Sequence, residues 1–154
     1  MKMAKLGTQS RIIGIFTITL GGTSKISELV KRGNYDWFNE WITDDHFPTQ
    51  PHAPVGRTIK LVEFDHDPSS EEIIQEFRRL GLKRPTYEDA LQFGVEHPGE
   101  QCKHSIVFLH EPVLDPDGRL GVLALHMGVR RRGLGLYWFD VRWGRQCVLA
   151  GVRK

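Results

Sequence analysis

Residues 104–152 read HSIVFLHEPVLDPDGRLGVLALHMGVRRRGLGLYWFDVRWGRQCVLAGV, and their patterning decides the fold class. Four short apolar runs, 104–110, 120–126, 134–141 and 146–152, are separated by turn-forming residues. Asp115-Pro116-Asp117-Gly118 supplies one turn, the basic run Arg130–Gly133 a second, and Trp143-Gly144 a tight third. Spacings this short predict an antiparallel meander. In the first run His104 and His110 share strand parity with Ile106 and Phe108, which marks them as packing or edge residues rather than ligands.

Upstream, strands alternate with helices. Over 11–20, Phe16, Ile18 and Leu20 share one face while Thr17 and Thr19 interrupt with a period of two, as in a strand. The same run follows Lys2, Lys5 and Arg11 and precedes Gly21-Gly22-Thr23-Ser24, the outline of a short signal peptide; the period of two favours the strand. Thr23 or Ser24 is placed to cap a helix over 25–32, with an apolar stripe of Ile26, Leu29 and Val30 and Gly33 as its stop. Residues 35–42, YDWFNEWI, space Trp37, Phe38, Trp41 and Ile42 as the inner face of a further helical turn. The proline-rich segment 43–56 reads as a loop and 57–65 as the second strand.

Ser69 and Glu72 have capping-box spacing, and Ile73, Ile74, Phe77 and Leu80 form one face of the helix that follows, with Gly81 as its end. Pro85-Thr86 opens another helix, with Tyr87, Ala90, Leu91 and Val95 inward and His97-Pro98-Gly99 as its end. Together these predict one α+β domain over 1–154, with N-terminal strand–helix units and a C-terminal antiparallel β-meander packed with helices. Residues 1–10 are expected to be flexible.

The composition agrees. The 154 residues are 40% hydrophobic and 26% charged, which excludes a disordered tail, a collagen-like fibre and a multi-span membrane protein. The net charge of +2 hides a segregation. Residues 1–33 hold six cationic side chains against one acidic, a balance of +5; residues 34–101 hold six against fourteen, −8; residues 102–154 hold nine against four, +5. The basic blocks either pair with the acidic one or leave a basic face for an anionic partner. Cys102 and Cys147 form no CxxC motif and read as two separate thiols of a reducing cytoplasm, bridged only if their strands are neighbours.

Candidate chemistry is sparse. LGGTSK at 20–25 could hold a phosphate at a helix start, but neither GxxxxGK[ST] nor GxGxxG occurs, and a turn with a helix cap accounts for it. Asp65, His66 and Asp67 carry metal-ligating groups at a strand end, yet on an extended chain His66 points away from the two carboxylates. Asp44, Asp45 and His46 with His52 form a second such group, without HExxH or HxH spacing. There is no GxSxG elbow and no Cys–His signature. The densest chemistry is basic and aromatic: Arg130, Arg131 and Arg132 in one turn, Arg142 and Arg145 flanking Trp143 in the next, and Tyr137 and Trp138 on the strand between. Guanidiniums pair with phosphates and exposed aromatics stack on unpaired bases, so these residues could form a single-stranded nucleic-acid surface.

Several stretches, NYDWFNEWIT, RPTYEDALQFG, IVFLHEP with DPDG, LYWFD and the ending AGVRK, together resemble a family of small uncharacterised proteins from uncultured candidate-phylum bacteria, over roughly residues 10–154. The resemblance implies a small bacterial, intracellular protein and carries no activity, cofactor or catalytic residue.

The sequence therefore points first to a non-enzymatic interaction or accessory module of the cytoplasm, without cofactor or membrane association, whose partner is another protein or a second copy in a homo-oligomer. The alternative is single-stranded nucleic-acid binding through Arg130, Arg131, Arg132, Trp138, Arg142, Trp143 and Arg145. A further alternative is a small metal-dependent hydrolase around Asp65, His66 and Asp67 or around His46.

Overall fold

Val122, Leu123, Ala124 and Leu125 form a run with no polar alternation, as expected of a strand buried on both faces. The computed structural model, which describes residues 10–22 and 25–154, places this run in the middle of a sheet sandwiched between helices. The elements are β1 (Ser10–Gly22), α1 (Ile26–Arg32), β2 (Trp37–Phe38), β3 (His52–Phe64), α2 (Ser70–Leu80), β4 (Leu82–Lys83), α3 (Tyr87–Glu96), a 3₁₀ turn (Glu100–Cys102), β5 (Ile106–Leu114), β6 (Leu120–Gly128), β7 (Arg131–Trp138) and β8 (Val148–Arg153). Among the described residues the eight strands form one mixed sheet, ordered β1-β3-β8-β5-β6-β7-β2, with β4 beside β8. Leu123, Leu125 and Leu134 face α1 and α3 on the first side of the sheet. Val107, Val122, Ala124 and Leu149 face α2 on the second. This is a single α+β domain, as predicted.

The meander is real for β5, β6 and β7, but the fourth strand leaves it. β8 lies between β3 and β5, antiparallel to the one and parallel to the other. Trp143-Gly144 is therefore not a tight hairpin turn. Residues 139–147 carry the chain back across the second face, pinned to the start of α2. The Trp143 N–H donates to the Pro68 carbonyl (2.8 Å), its indole Nε1 to Ser70 Oγ (3.0 Å), and Ser70 Oγ to the Phe139 carbonyl (2.7 Å).

Residues 35–42 are not helical. Asp36 N–H donates to the Arg132 carbonyl (2.9 Å) and Asn39 N–H to the Leu134 carbonyl (3.0 Å), so the outer edge of β7 captures this stretch as the parallel strand β2. Ile42 is buried and Trp41 half-buried, but Trp37 and Phe38, predicted to be core, emerge on opposite faces, both exposed. The second strand starts earlier than predicted, at His52 rather than 57, because β1 is long enough to pair with it back to Gly22. Pro54 is accommodated where that register shifts, beyond the reach of β8.

α2 has the predicted capping box, and Gly81 closes it in the left-handed conformation (φ 74°). Ile73 and Phe77 are buried, and Ile74 and Leu80 are half-buried at the rim of the same face. Glu76 is an inner-face carboxylate that the apolar pattern does not reveal; it accepts from Ser10 Oγ and from Arg79 Nε (2.9 Å). α1 departs from expectation at both ends. Thr23 and Ser24, read as caps, lie outside the described residues; the N-cap position is Lys25, and the carboxylate of Asp44 accepts from the Ser27 N–H (2.9 Å) and Ser27 Oγ (2.7 Å). Those bonds hold the Asp44 carboxyl below the usual carboxylate range. At the other end Gly33 is right-handed, and the left-handed residue is Asn34 (φ 52°). Ser10 belongs to β1; the rest of the stretch expected to be flexible lies outside the described residues. Cys102 and Cys147 are free thiols. Among the described residues no helix is long and apolar enough to cross a membrane.

Candidate functional site

The basic turn is a two-residue hairpin. Gly128 pairs with Arg131, and Val129 and Arg130 form its tip, with Arg130 in the left-handed region (φ 56°). Its three arginines do different things. Arg132 folds inward: Nη1 donates to the Gly33 (2.6 Å) and Asn34 (3.3 Å) carbonyls, and Nη2 to the Gly94 carbonyl (3.3 Å) and Gln101 Oε1 (2.9 Å). Its guanidinium also lies 4.9 Å from the centroid of the Tyr35 ring. Arg132 thus ties the loop after α1 to α3 and the 3₁₀ turn. Arg131 makes one long bond, to the Asp36 carbonyl (3.3 Å), and Arg130 makes none among the described residues.

The other residues of the predicted nucleic-acid surface lie elsewhere. Trp138 ends β7, about 23 Å from Arg131 at the rise of an extended chain. It projects from the opposite face to Tyr137, donates to Asp115 Oδ2 (3.1 Å) and carries the Arg119 guanidinium 3.4 Å over its ring. Trp143 is 6% exposed and packs in the core beneath α2. Arg142 pairs with Glu72 (3.0 Å) and Arg145 with Asp67 (3.2 Å). The segregated charges meet in these pairs and in Arg11–Glu63 (2.8 Å), while Arg57–Asp89 (2.8 Å) pairs within the acidic block. The structure therefore does not bring the two arginine groups onto one surface.

The acid–histidine groups are likewise engaged locally. His66 bridges Asp65 (2.8 Å) and Glu72 (3.4 Å), whereas Asp67 turns to Arg145, whose backbone N–H and then side chain hold its carboxyl below the ordinary range. His46 stacks on Trp41 with centroids 3.5 Å apart, and its Nδ1 lies 2.9 Å from the Trp41 carbonyl. Among the described residues no three His, Cys, Asp or Glu side chains are grouped as a metal site.

His110, predicted to be a packing or edge residue, organises a bulge. Between the pairs Phe108–Leu123 and Val113–Gly121, residues 109–112 of β5 oppose Val122 alone. The imidazole stands in for the interrupted ladder: Nε2 accepts from the Leu123 N–H (3.0 Å), which leaves Nδ1 to donate to the Glu111 carbonyl (2.7 Å). Arg84 satisfies the bulged carbonyls of Leu109 (2.9 Å) and His110 (2.7 Å). Beside this bulge is a cavity of about 370 Å³ lined by Pro48, His52, Tyr87, Glu88 and His110 among others. Its polar groups are also paired: Tyr87 donates to the Pro48 carbonyl, and His52 Nε2 lies 3.2 Å from Glu88.

Burial, reinforced by the Arg84 charge and opposed by the Glu111 carbonyl, lowers His110 from 6.5 to about 4. The unfolded chain takes up this proton below about 6.5, and the folded protein only near 4. The stabilisation from a neutral His110 is thus complete above 6.5 and is lost as pH falls from there towards 4, by up to roughly 3 kcal/mol. An NMR titration of the His110 ring should show a midpoint near 4; a midpoint near 6.5 contradicts the buried tautomer.

One surface remains open. On the second face α2 and residues 139–147 cover β3, β8, β5 and the Val122–Ala124 stretch of β6, while Trp37 of β2 and Tyr137 of β7 lie outside that cluster. In register across these strands lie His126, Gly133 and Trp37. A Cβ on Gly133 would stand 2.5 Å from His126 Cε1, and one on Gly135 would stand 2.5 Å from Tyr137 Cε2. Both rings therefore occupy the space that a side chain at the glycine would need. The centroid of His126 is 5.8 Å from that of Trp37 and 5.9 Å from that of Tyr137. Trp37 is 46% and Tyr137 39% exposed.

No family model, curated protein sequence or solved structure matches this chain.

Sequence reasoning misses the open face because the aromatic spacing around Trp37 predicts a helix. The alternation of Gly133 and Gly135 with Leu134 and Leu136 is its signal. Strand glycines on one side mark a place where something packs close to the backbone.

Proposed function

We propose that the protein is a non-enzymatic binding module whose contact surface is the open β6–β7–β2 face. The observation that carries this reading is the exposure of Trp37 and Tyr137, on the face that α2 packs against but outside the cluster it buries. Exposed aromatic surface, grouped rather than scattered, is surface that a partner covers. The cytoplasmic location expected from two unpaired cysteines belongs to this proposal.

A benzophenone amino acid at position 37 replaces one aromatic ring by another. On irradiation in cell extract it should give discrete crosslinked species. The same group at position 71, on the exposed side of α2, should give none. Equal crosslinking from both positions, or none from 37, would overturn the assignment of this face.

A further inference from the structure

We infer that the partner is a single-stranded nucleic acid, with its bases stacked on Trp37 and Tyr137 and its phosphates held by Arg130 and Arg131; this rests on the binding-face reading above. Accessible π-faces accept any base, and Trp37 and Tyr137 are exposed on either side of His126. Gly133 and Gly135 let the His126 and Tyr137 rings sit close against the strand backbone.

Charge selects this partner over another protein surface. Arg131 has the same strand parity as Gly133, Gly135 and Tyr137, so it projects at the end of the same face, and Arg130 precedes it at the hairpin tip. Among the described residues Arg130 and Arg131 have no carboxylate partner, and Arg131 spends one donor on the Asp36 carbonyl. Their remaining donors are available to phosphate oxygens. The Asp36 carboxylate beside them accepts from the Arg132 N–H (2.7 Å). Arg130 also occupies a left-handed conformation that favours glycine or asparagine, so the turn carries a charge where glycine fits the backbone better. A duplex hides its base faces, and the preference is therefore for unpaired strands.

The test is fluorescence anisotropy with labelled oligo-U and oligo-dT single strands and a duplex of equal length, over a salt series. Single strands should bind more tightly than duplex. Trp37→Ala and Tyr137→Ala should each weaken binding about 5- to 150-fold. Arg130→Gly with Arg131→Ala should flatten the slope of log K against log salt by about 1.4, the share of two phosphates. Arg130→Gly suits its backbone, so this variant keeps the test valid even if an aromatic change disturbs folding. Arg145→Ala, whose guanidinium is already paired with Asp67, should change affinity little. Single strands that do not bind at low salt, or bind independently of Trp37 and Tyr137, overturn the inference. Sedimentation then separates the two readings. A dimer lost in Trp37→Ser refutes the nucleic acid but keeps the binding face, whereas a monomer that also gives no crosslink from position 37 refutes both.

Discussion

Replacing Arg132 with Ala should destabilise the protein by roughly 3–5 kcal/mol, far more than the same change one residue earlier at Arg131. The guanidinium of Arg132 serves three carbonyls and the Gln101 side chain from a half-buried position in the corner between α1, α3 and β7. Losing even the two shortest of these charge-assisted bonds reaches the lower bound. Tyr35 loses the charge above its ring as well. Arg131, with one long bond at the surface, should change stability by no more than about 0.5 kcal/mol. Urea denaturation of the two variants checks this directly. A loss below about 1 kcal/mol for Arg132→Ala would return that residue to the surface role that its place in an arginine run suggests.

Phe77→Ala should cost roughly 3–5 kcal/mol. Phe77 is 1% exposed and packs with Ile73 against Val62, Leu82 and Leu149, in the layer that joins α2 to the sheet. Its ring also approaches Gly151 closely enough that a Cβ there would stand 3.2 Å from it. Interiors are close-packed, and few neighbours can move into the space a ring leaves. Ile74, half-buried on the same helix, should lose less when truncated. Calorimetric or denaturant unfolding that shows a Phe77→Ala loss within about 0.5 kcal/mol would mean that α2 does not anchor the second face.

Elements whose stabilising contacts are local are legible in the sequence. α2 and α3 carry their own capping boxes, stop signals and apolar stripes, and both form where predicted. The hairpins β5–β6 and β6–β7 are set by the turns at 115–118 and 129–130. What is not legible depends on distant partners. β8 leaves the meander because Trp143 is drawn into the core under α2, and residues 35–42 become an edge strand because β7 offers free backbone groups there. Aromatic spacing alone does not separate a helix from an edge strand when the deciding hydrogen bonds come from residues almost a hundred positions away.

The candidate site divides in the same way. The basic turn at Arg130 and Arg131 is recognisable from composition. Its company is not: Trp143 and Arg132 turn inward, Arg142 and Arg145 pair beside α2, and the aromatic partner of the turn is Trp37 from the far end of the chain. His110 shows the same limit. Strand parity identifies a packing residue, but its role in bridging a bulge depends on Leu123 in the next strand.

The most direct test of the central claim is an amide NMR titration of the intact protein with a short oligo-U single strand. The account predicts shift changes concentrated in 36–38, 126–137 and around Cys147, which neighbours Tyr137, with α2 and the cavity beside His110 unaffected. Changes centred on Asp67 and the start of α2, or no changes at low salt, would contradict it.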